Sequence, residues 1–338
     1  MIAATLDRDP QTLAAHDAVL HHLLDERLPP EFGGGLTTHL PMALHALHAL
    51  GASEAQMRGF RARYVLRYES RAALEAAPAE DWLALRGSGG EDTHAALAAR
   101  FAADLAREGR TAVLRRVLPD LLTGVAAGAF HGVIRVAHAV QAGHDGELAE
   151  GLAYWAWRWQ PLPRAKAPPV LLDVQAWSRQ LIEAAEGALF VAPLISQRIE
   201  LASQSPAYQH LAAALAPQPR LLPQLAGLAL TLYLQTRNLT ALHMITSLRA
   251  LRVLQPFIVT GASVQPLLVA AFTAAFLASQ RRMPPRTVPR LDWVQAMAAA
   301  CEADDDHAIK LVHACLEEFA AYGDRRYLDA ACLALASN

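Results

Sequence analysis

Asp304-Asp305-Asp306-His307-Ala308-Ile309-Lys310-Leu311-Val312-His313 is the stretch from which the fold is read. Three carboxylates running into an apolar-periodic segment mark the start of a helix. An Asp at the N-cap accepts a hydrogen bond from an orphan backbone N–H, and its neighbours sit favourably at the positive end of the helix dipole. His307 and Lys310 are three apart and share a face, which Leu311 and Ala314 continue toward a core. A buried ammonium is costly unless paired or neutralised, so this His–Lys pair needs partners inside the protein. Three further histidines, His39, His131 and His243, stand in apolar helical settings. The expectation is that four histidines from four separate segments meet at one buried metal.

The same 3.6-residue period recurs along the chain, and period-2 alternation is almost absent. The fold class expected is all-α: one large multi-helix domain over residues 1–338, or two intimately packed helical halves. Pro161–Pro169, dense in proline and basic residues, is the candidate boundary between halves, near 160–170. Helices are expected over 11–28, from Pro41 to Leu50, over 53–74, 91–107, 147–159, 173–189, 195–215 and 224–235, and from about 264 to 279. Pro119-Asp120 is expected to start another. His16, His21 and His22, set among charges, are expected at the surface. Tyr64 and Tyr68, four apart, suggest packing.

Composition excludes several functions. The chain is 53% hydrophobic and 18% charged, with a formal net charge of −2 and dispersed basic residues, so no nucleic-acid footprint is visible. Met1–Pro10 lacks an apolar segment of the signal-peptide kind, which points to a cytoplasmic protein. The long uncharged run Val253–Gln280 is interrupted by Pro256, Gly261 and Pro266, which favours a turn and a buried helix over a membrane span. Cys301, Cys315 and Cys332 form no CxxC pair and suit small buried thiols in a reducing compartment. Gly33-Gly34-Gly35 follows no strand and lacks the dinucleotide-loop spacing. Oligomeric state is left open, a homo-oligomer included.

Several residues are candidates for chemistry. His39 sits at a helix entrance, where the cap can fix its orientation. His131, Arg135 and His138 fall on one helical face, a cationic stripe that needs buried partners or water; a satisfied core histidine with Arg135 on a carboxylate explains it equally well. Thr246 shares a face with His243 and can orient the imidazole or a ligand. His45 and His48, three apart, are spaced to bind a metal together, with a polar stripe or support for a metal site as the favoured reading. Tyr154, Trp155, Trp157 and Trp159 either pack or line a pocket for a flat aromatic ligand. Lys310 has a plainer alternative, in which it snorkels to pair with Asp306 or Glu317.

Four local patterns resemble the questin oxidase-like family. They are Thr38-His39-Leu40-Pro41-Met42-Ala43-Leu44 with Leu50-Gly51-Ala52, Phe130-His131-Gly132-Val133-Ile134-Arg135, Leu242-His243-Met244-Ile245-Thr246 with Ala250-Leu251-Arg252, and Asp305-Asp306-His307-Ala308-Ile309-Lys310. With the spacing between them they cover most of the chain. The resemblance implies a helical enzyme linked to oxidative ring opening of anthraquinone-type polyketides. It also implies a mononuclear non-haem iron held by His39, His131, His243 and His307, with Lys310 as a modified lysine. Relatives often carry Pro where this chain has Gly132, and His and Tyr where it has Arg135 and His138, so the pocket differs.

Imidazole suits Fe(II), with zinc as the runner-up, and no thiolate belongs to the set. A carboxylated Lys310 would add an anionic oxygen. Three functions follow. The first is an O2-dependent oxidation or ring cleavage of a polycyclic aromatic or quinone, with Arg135, His138 and Thr246 acting in the pocket. The second is a Baeyer–Villiger-type oxidase drawing on NADPH as an external reductant; a strand–GxGxxG–helix unit for its own flavin is absent. The third is a helical binding or scaffold protein with structural histidines.

Overall fold

A computed structural model describes residues 10–67, 76–258, 261–279, 283 and 287–336. Within them the apolar period resolves into seventeen α-helices and one two-stranded ribbon, a predominantly helical single domain. The chain runs through α1 (Pro10–Asp25), β1 (Glu31–Phe32), β2 (Leu36–Thr37), α2 (Leu40–Leu50), α3 (Glu54–Val65), α4 (Trp82–Leu85), α5 (Glu91–Glu108), α6 (Arg110–Leu121) and α7 (His131–Ala142). It continues through α8 (Asp145–Trp157), α9 (Val174–Ala185), α10 (Ile195–Ser203), α11 (Pro206–Leu211), α12 (Leu221–Thr236) and α13 (Leu239–Leu254). The last four are α14 (Gly261–Leu277), α15 (Trp293–Cys301), α16 (Asp306–Tyr322) and α17 (Arg326–Ala334). No helix among the described residues is long and apolar enough to cross a membrane.

Local chemistry sets the ends of these helices. The side chains of Ser53, Asp173, Asn238, Asp292 and Asp305 each accept a first-turn backbone N–H at the start of α3, α9, α13, α15 and α16. Gly51, Gly143 and Gly323 close α2, α7 and α16 in the left-handed conformation.

A ring of four helices organises the interior. α2 packs on α7 and on α16, and α13 packs on the same two. All four run in one direction. Residues near their starts meet at one level: His39 with His131, His131 with His243, and His39 with His307. Residues six to ten positions later meet at the next: His45 with His138 and His313, and Arg249 with Gln141 and Glu317. Parallel neighbours cannot be joined by tight turns. The intervening segments, α3–α6, α8–α12 and α14–α15, therefore return the chain to the same end each time. α8 closes over α7, α12 over α13 and α17 over α16, extending the core.

The structure departs from the sequence expectations in five places. Pro119 lies in the last turn of α6 and starts no helix; α6 begins after Gly109, and loss of the Pro119 N–H falls where the helix is already giving way to a 3-10 turn at Leu122–Gly124. The helix expected over 53–74 stops at Val65, and Tyr68 lies outside the described residues. The helix expected over 195–215 breaks at Ser205-Pro206, where Ser205 caps α11. Gly33, Gly34 and Gly35, all at positive φ, reverse the chain into the β1–β2 ribbon. His16 and His21 are half-buried and bind the Ala52 and Ala142 carbonyls, each at 2.8 Å, tying α1 to the ends of α2 and α7. His22 is exposed as expected.

Gly132 is forced by the approach of α8. A Cβ at this position would lie 2.6 Å from both Cβ and Cγ of buried Trp155. Those atoms sit close to the α8 backbone and cannot swing away. Gly132→Ala is expected to cost about 1–3 kcal/mol of stability, measured as a lower urea midpoint at unchanged slope. An unchanged midpoint would show that α7 and α8 separate freely.

Candidate metal centre

Each histidine of the upper level is aimed by a separate local device. His39 is the N-cap residue of α2 and its backbone N–H donates to the Tyr64 hydroxyl at 2.8 Å. Its side chain makes no capping bond, contrary to the sequence expectation. Instead Nδ1–H donates to Asp306 Oδ1 at 2.7 Å. His131 opens α7 after three successive left-handed residues, Gly128 (φ 55°), Ala129 (φ 55°) and Phe130 (φ 68°). Two of them carry a Cβ, at a cost of about 1–2 kcal/mol each. The turn brings the Gly128 carbonyl onto His131 Nδ1, with Thr37 Oγ1 at 3.2 Å. His243 donates Nδ1–H to the Leu239 carbonyl one turn back, at 2.7 Å. His307, second in α16, has Nδ1 3.0 Å from Asp306 Oδ1.

These partners fix the tautomers. A carbonyl can only accept, so His131 and His243 carry their proton on Nδ1, and the Asp306 carboxylate imposes the same on His39. The Nε2 atoms are then left as bare lone pairs, and they point at one another. His39 Nε2 lies 2.7 Å from His131 Nε2, and His243 Nε2 lies 3.0 Å from the same atom. Lone pairs at that spacing repel unless a cation lies between them. One ligand nitrogen each from His39, His243 and His307 also falls within 4.8 Å of the others.

Protons are poor candidates for that cation. Burial lowers the pKa of His39 to about 3, with the charge of Lys310 adding to it. Burial likewise takes His131 and His243 well below the ordinary value, with neighbouring imidazoles contributing. His307 is the exception. Burial lowers it, but the hydrogen bonds of Asp305 and Asp306 outweigh burial and raise it overall. Burial pushes the Asp306 carboxyl up, yet hydrogen bonds from His307 and His39 hold it well below the usual carboxylate range. The donor set of imidazole nitrogens with a carboxylate behind them therefore fits a divalent metal ion.

Lys310 is buried, with Nζ 4.0 Å from Asp306 Oδ1. It does not snorkel to the surface; Glu317 pairs with Arg249 instead. Burial lowers the Lys310 pKa to about 8, against the attraction of Asp306 and Asp305.

His39, His131, His243 and His307 all face a cavity of about 1290 Å³. The β1–β2 ribbon, Tyr64, Tyr154, Trp157 and Trp159 form much of its wall, with Arg67 and Arg158 among the charged groups. Of the four aromatic residues on and after α8, Trp155 alone does not line it. Arg135, His138 and Thr246 do not line this cavity. Arg135 is buried against Glu147, at 2.5 and 2.9 Å. His138 joins a lower histidine cluster with His45 and His313. The Thr246 hydroxyl donates back to the Leu242 and His243 carbonyls, so it braces α13 and does not touch the imidazole.

Sequence reasoning passed over Asp306 as an orienting group, although it stands directly before His307 and four residues before Lys310. Arg67 secures its other oxygen, Oδ2, at 3.0 Å. Thr37 and Gly128, which hold His131, were also missed; the only trace was the small-residue run before His131.

Comparison with curated proteins returns no match. A family model described as questin oxidase-like matches residues 36–315, which includes α2, α7, α13, the first ten residues of α16 and every histidine of the centre. The chain belongs to the questin oxidase-like family and is an oxidase.

Proposed function

We propose that the protein is an O2-dependent oxidoreductase that oxidises or cleaves a ring of a polycyclic aromatic or quinone of polyketide type. Its centre is a mononuclear iron held by His39, His131, His243 and His307. The convergence of Nδ1-anchored imidazoles, with Nε2 atoms 2.7 and 3.0 Å apart, carries this proposal. Two nitrogens held at about 2.1 Å from one ion and at a right angle lie about 3 Å apart. That spacing suits the higher coordination common for iron better than tetrahedral zinc.

When bound, Fe(II) supplies a site for activating O2 beside the substrate. The chain supplies the rest. Asp306 holds His39 and His307 in register and keeps the Nδ1 proton on His39. The Gly128 and Leu239 carbonyls do the same for His131 and His243. Trp157, Trp159 and Tyr154 line the cavity, which is large enough for a fused tricyclic compound, and Arg158 and Arg86 stand over the Trp157 and Trp159 rings. Lys310, with a pKa near 8, has a neutral amine available for carboxylation, which would bring a negative charge to the ion. A Baeyer–Villiger-type outcome would draw on NADPH as an external reductant.

Protein purified without oxygen is expected to hold about one iron per chain by elemental analysis, lost in both His243→Ala and Lys310→Ala. Zinc in its place would redirect the search to hydrolysis, and retention of iron in Lys310→Ala would leave Lys310 as an ion-pair partner only. Asp306→Asn is expected to weaken iron binding about 10- to 100-fold, read by competition with a chelator; wild-type affinity would remove its orienting role. With anthraquinones, oxygen uptake by Trp157→Ala should show KM raised about 2- to 12-fold, the equivalent of 0.5–1.5 kcal/mol of stacking. An unchanged KM would place the substrate elsewhere in the cavity.

A further inference from the structure

We propose that His45, His138 and His313 form a second transition-metal site, one level down the same helix ring. The three come from α2, α7 and α16, six or seven residues beyond His39, His131 and His307. At about 1.5 Å per residue that is about 9–10 Å along the ring, too far for one bridging ligand to join two ions. The site is therefore mononuclear and independent of the upper centre.

All three residues are buried, and one ring nitrogen from each falls within 4.8 Å of the others. His45 Nδ1 lies 2.8 Å from His138 Nδ1, so one proton at most serves that contact. His313 Nδ1 is enclosed and has no hydrogen-bond partner among the described residues. An unsatisfied polar nitrogen of this kind costs about 1–3 kcal/mol. Three imidazoles cannot satisfy one another by hydrogen bonds in this arrangement, whereas three histidine nitrogens are a donor set that zinc and its neighbours accept.

Arg249 is the obvious objection, since α13 places its guanidinium at this level. Its Nε and Nη2 bind Glu317 and Gln141, and the Glu317 carboxylate offsets its charge, while Nη1 is buried with no hydrogen-bond partner among the described residues. Arg252 is likewise paired with Glu318 at 2.7 Å. The Glu317 carboxylate, 3.7 Å from His313 Nε2, is placed to support a ligating imidazole from behind. Burial, followed by His313 or Arg249, lowers the pKa of His45 and His138 well below the ordinary value, and burial does the same to His313. The three imidazoles are thus neutral, as metal ligation requires. His48, three residues from His45, takes no part: it pairs with Asp17 and stacks on His16.

The full chain, stripped of metal and shown to be folded by circular dichroism, is titrated with Co(II) and with Zn(II). The wild type should take up about two equivalents, His313→Gln and His138→Gln about one each, and His243→Ala about one. The visible Co(II) spectrum of His313→Gln should lack one of the two wild-type components. Wild-type stoichiometry in both lower-level variants, whether one equivalent or two, overturns the proposal. Loss of an equivalent in His313→Gln but not in His243→Ala sustains the lower site and defeats the upper one. Should either glutamine variant fail to fold, anomalous diffraction from zinc-loaded wild-type crystals decides: a peak among the three imidazoles supports the site, and a blank map there overturns it.

Discussion

Two carbonyls and one carboxylate govern the upper centre. Gly128, Leu239 and Asp306 take the Nδ1 protons of His131, His243 and His39, and that alone turns three bare Nε2 lone pairs toward each other. Much of the surrounding structure serves to hold this unfavourable convergence. Left-handed Ala129 and Phe130 are tolerated because they bring the Gly128 carbonyl within reach of its histidine. Asp306 meets His39 across 267 residues, so neither ring orients correctly until both ends of the chain are in place. Arg67, held over the Tyr64 ring, anchors the far side of the same carboxylate.

Periodicity made the helical fold legible, and caps such as Asn238 and Asp305 placed several helix starts within a residue or two. The four upper histidines stood out because each interrupts an apolar helical run, and the structure brings them together. The parallel direction of the ring was not legible. It depends on long return segments whose lengths carry no directional signal, and only the two matching levels of side chains reveal it. That Arg135, His138 and Thr246 lie off the cavity was hidden for the same reason. A shared helical face says which residues point inward but not how deep they lie along the axis, and depth separates the cavity from the lower cluster. Asp306 was hidden differently: a carboxylate at a helix start has a sufficient local explanation as a dipole partner, so its long-range hydrogen bond left no further trace.

The direction of the four helices also bears on the chemistry. His39 is the N-cap residue of α2, His131 the first residue of α7 and His307 the second of α16, while His243 lies one turn into α13. Four positive helix ends therefore converge on one point. That field opposes a bare cation, which explains why carboxylates are gathered there: Asp305 and Asp306 occupy the start of α16, and a carboxylated Lys310 would add a third negative group. The same field favours an anion near the helix ends, although Arg67 and Arg158 in the cavity are already paired with Asp306 and Glu31. A hydroxylated quinone ionises to a phenolate readily, and its charge would rest against helix ends at no reorganisation cost. Ionised substrate is also the more electron-rich form, the one from which electrons pass most easily to oxygen. Helix polarity thus bears on the charge of the proposed substrate independently of the aromatic residues that line the cavity.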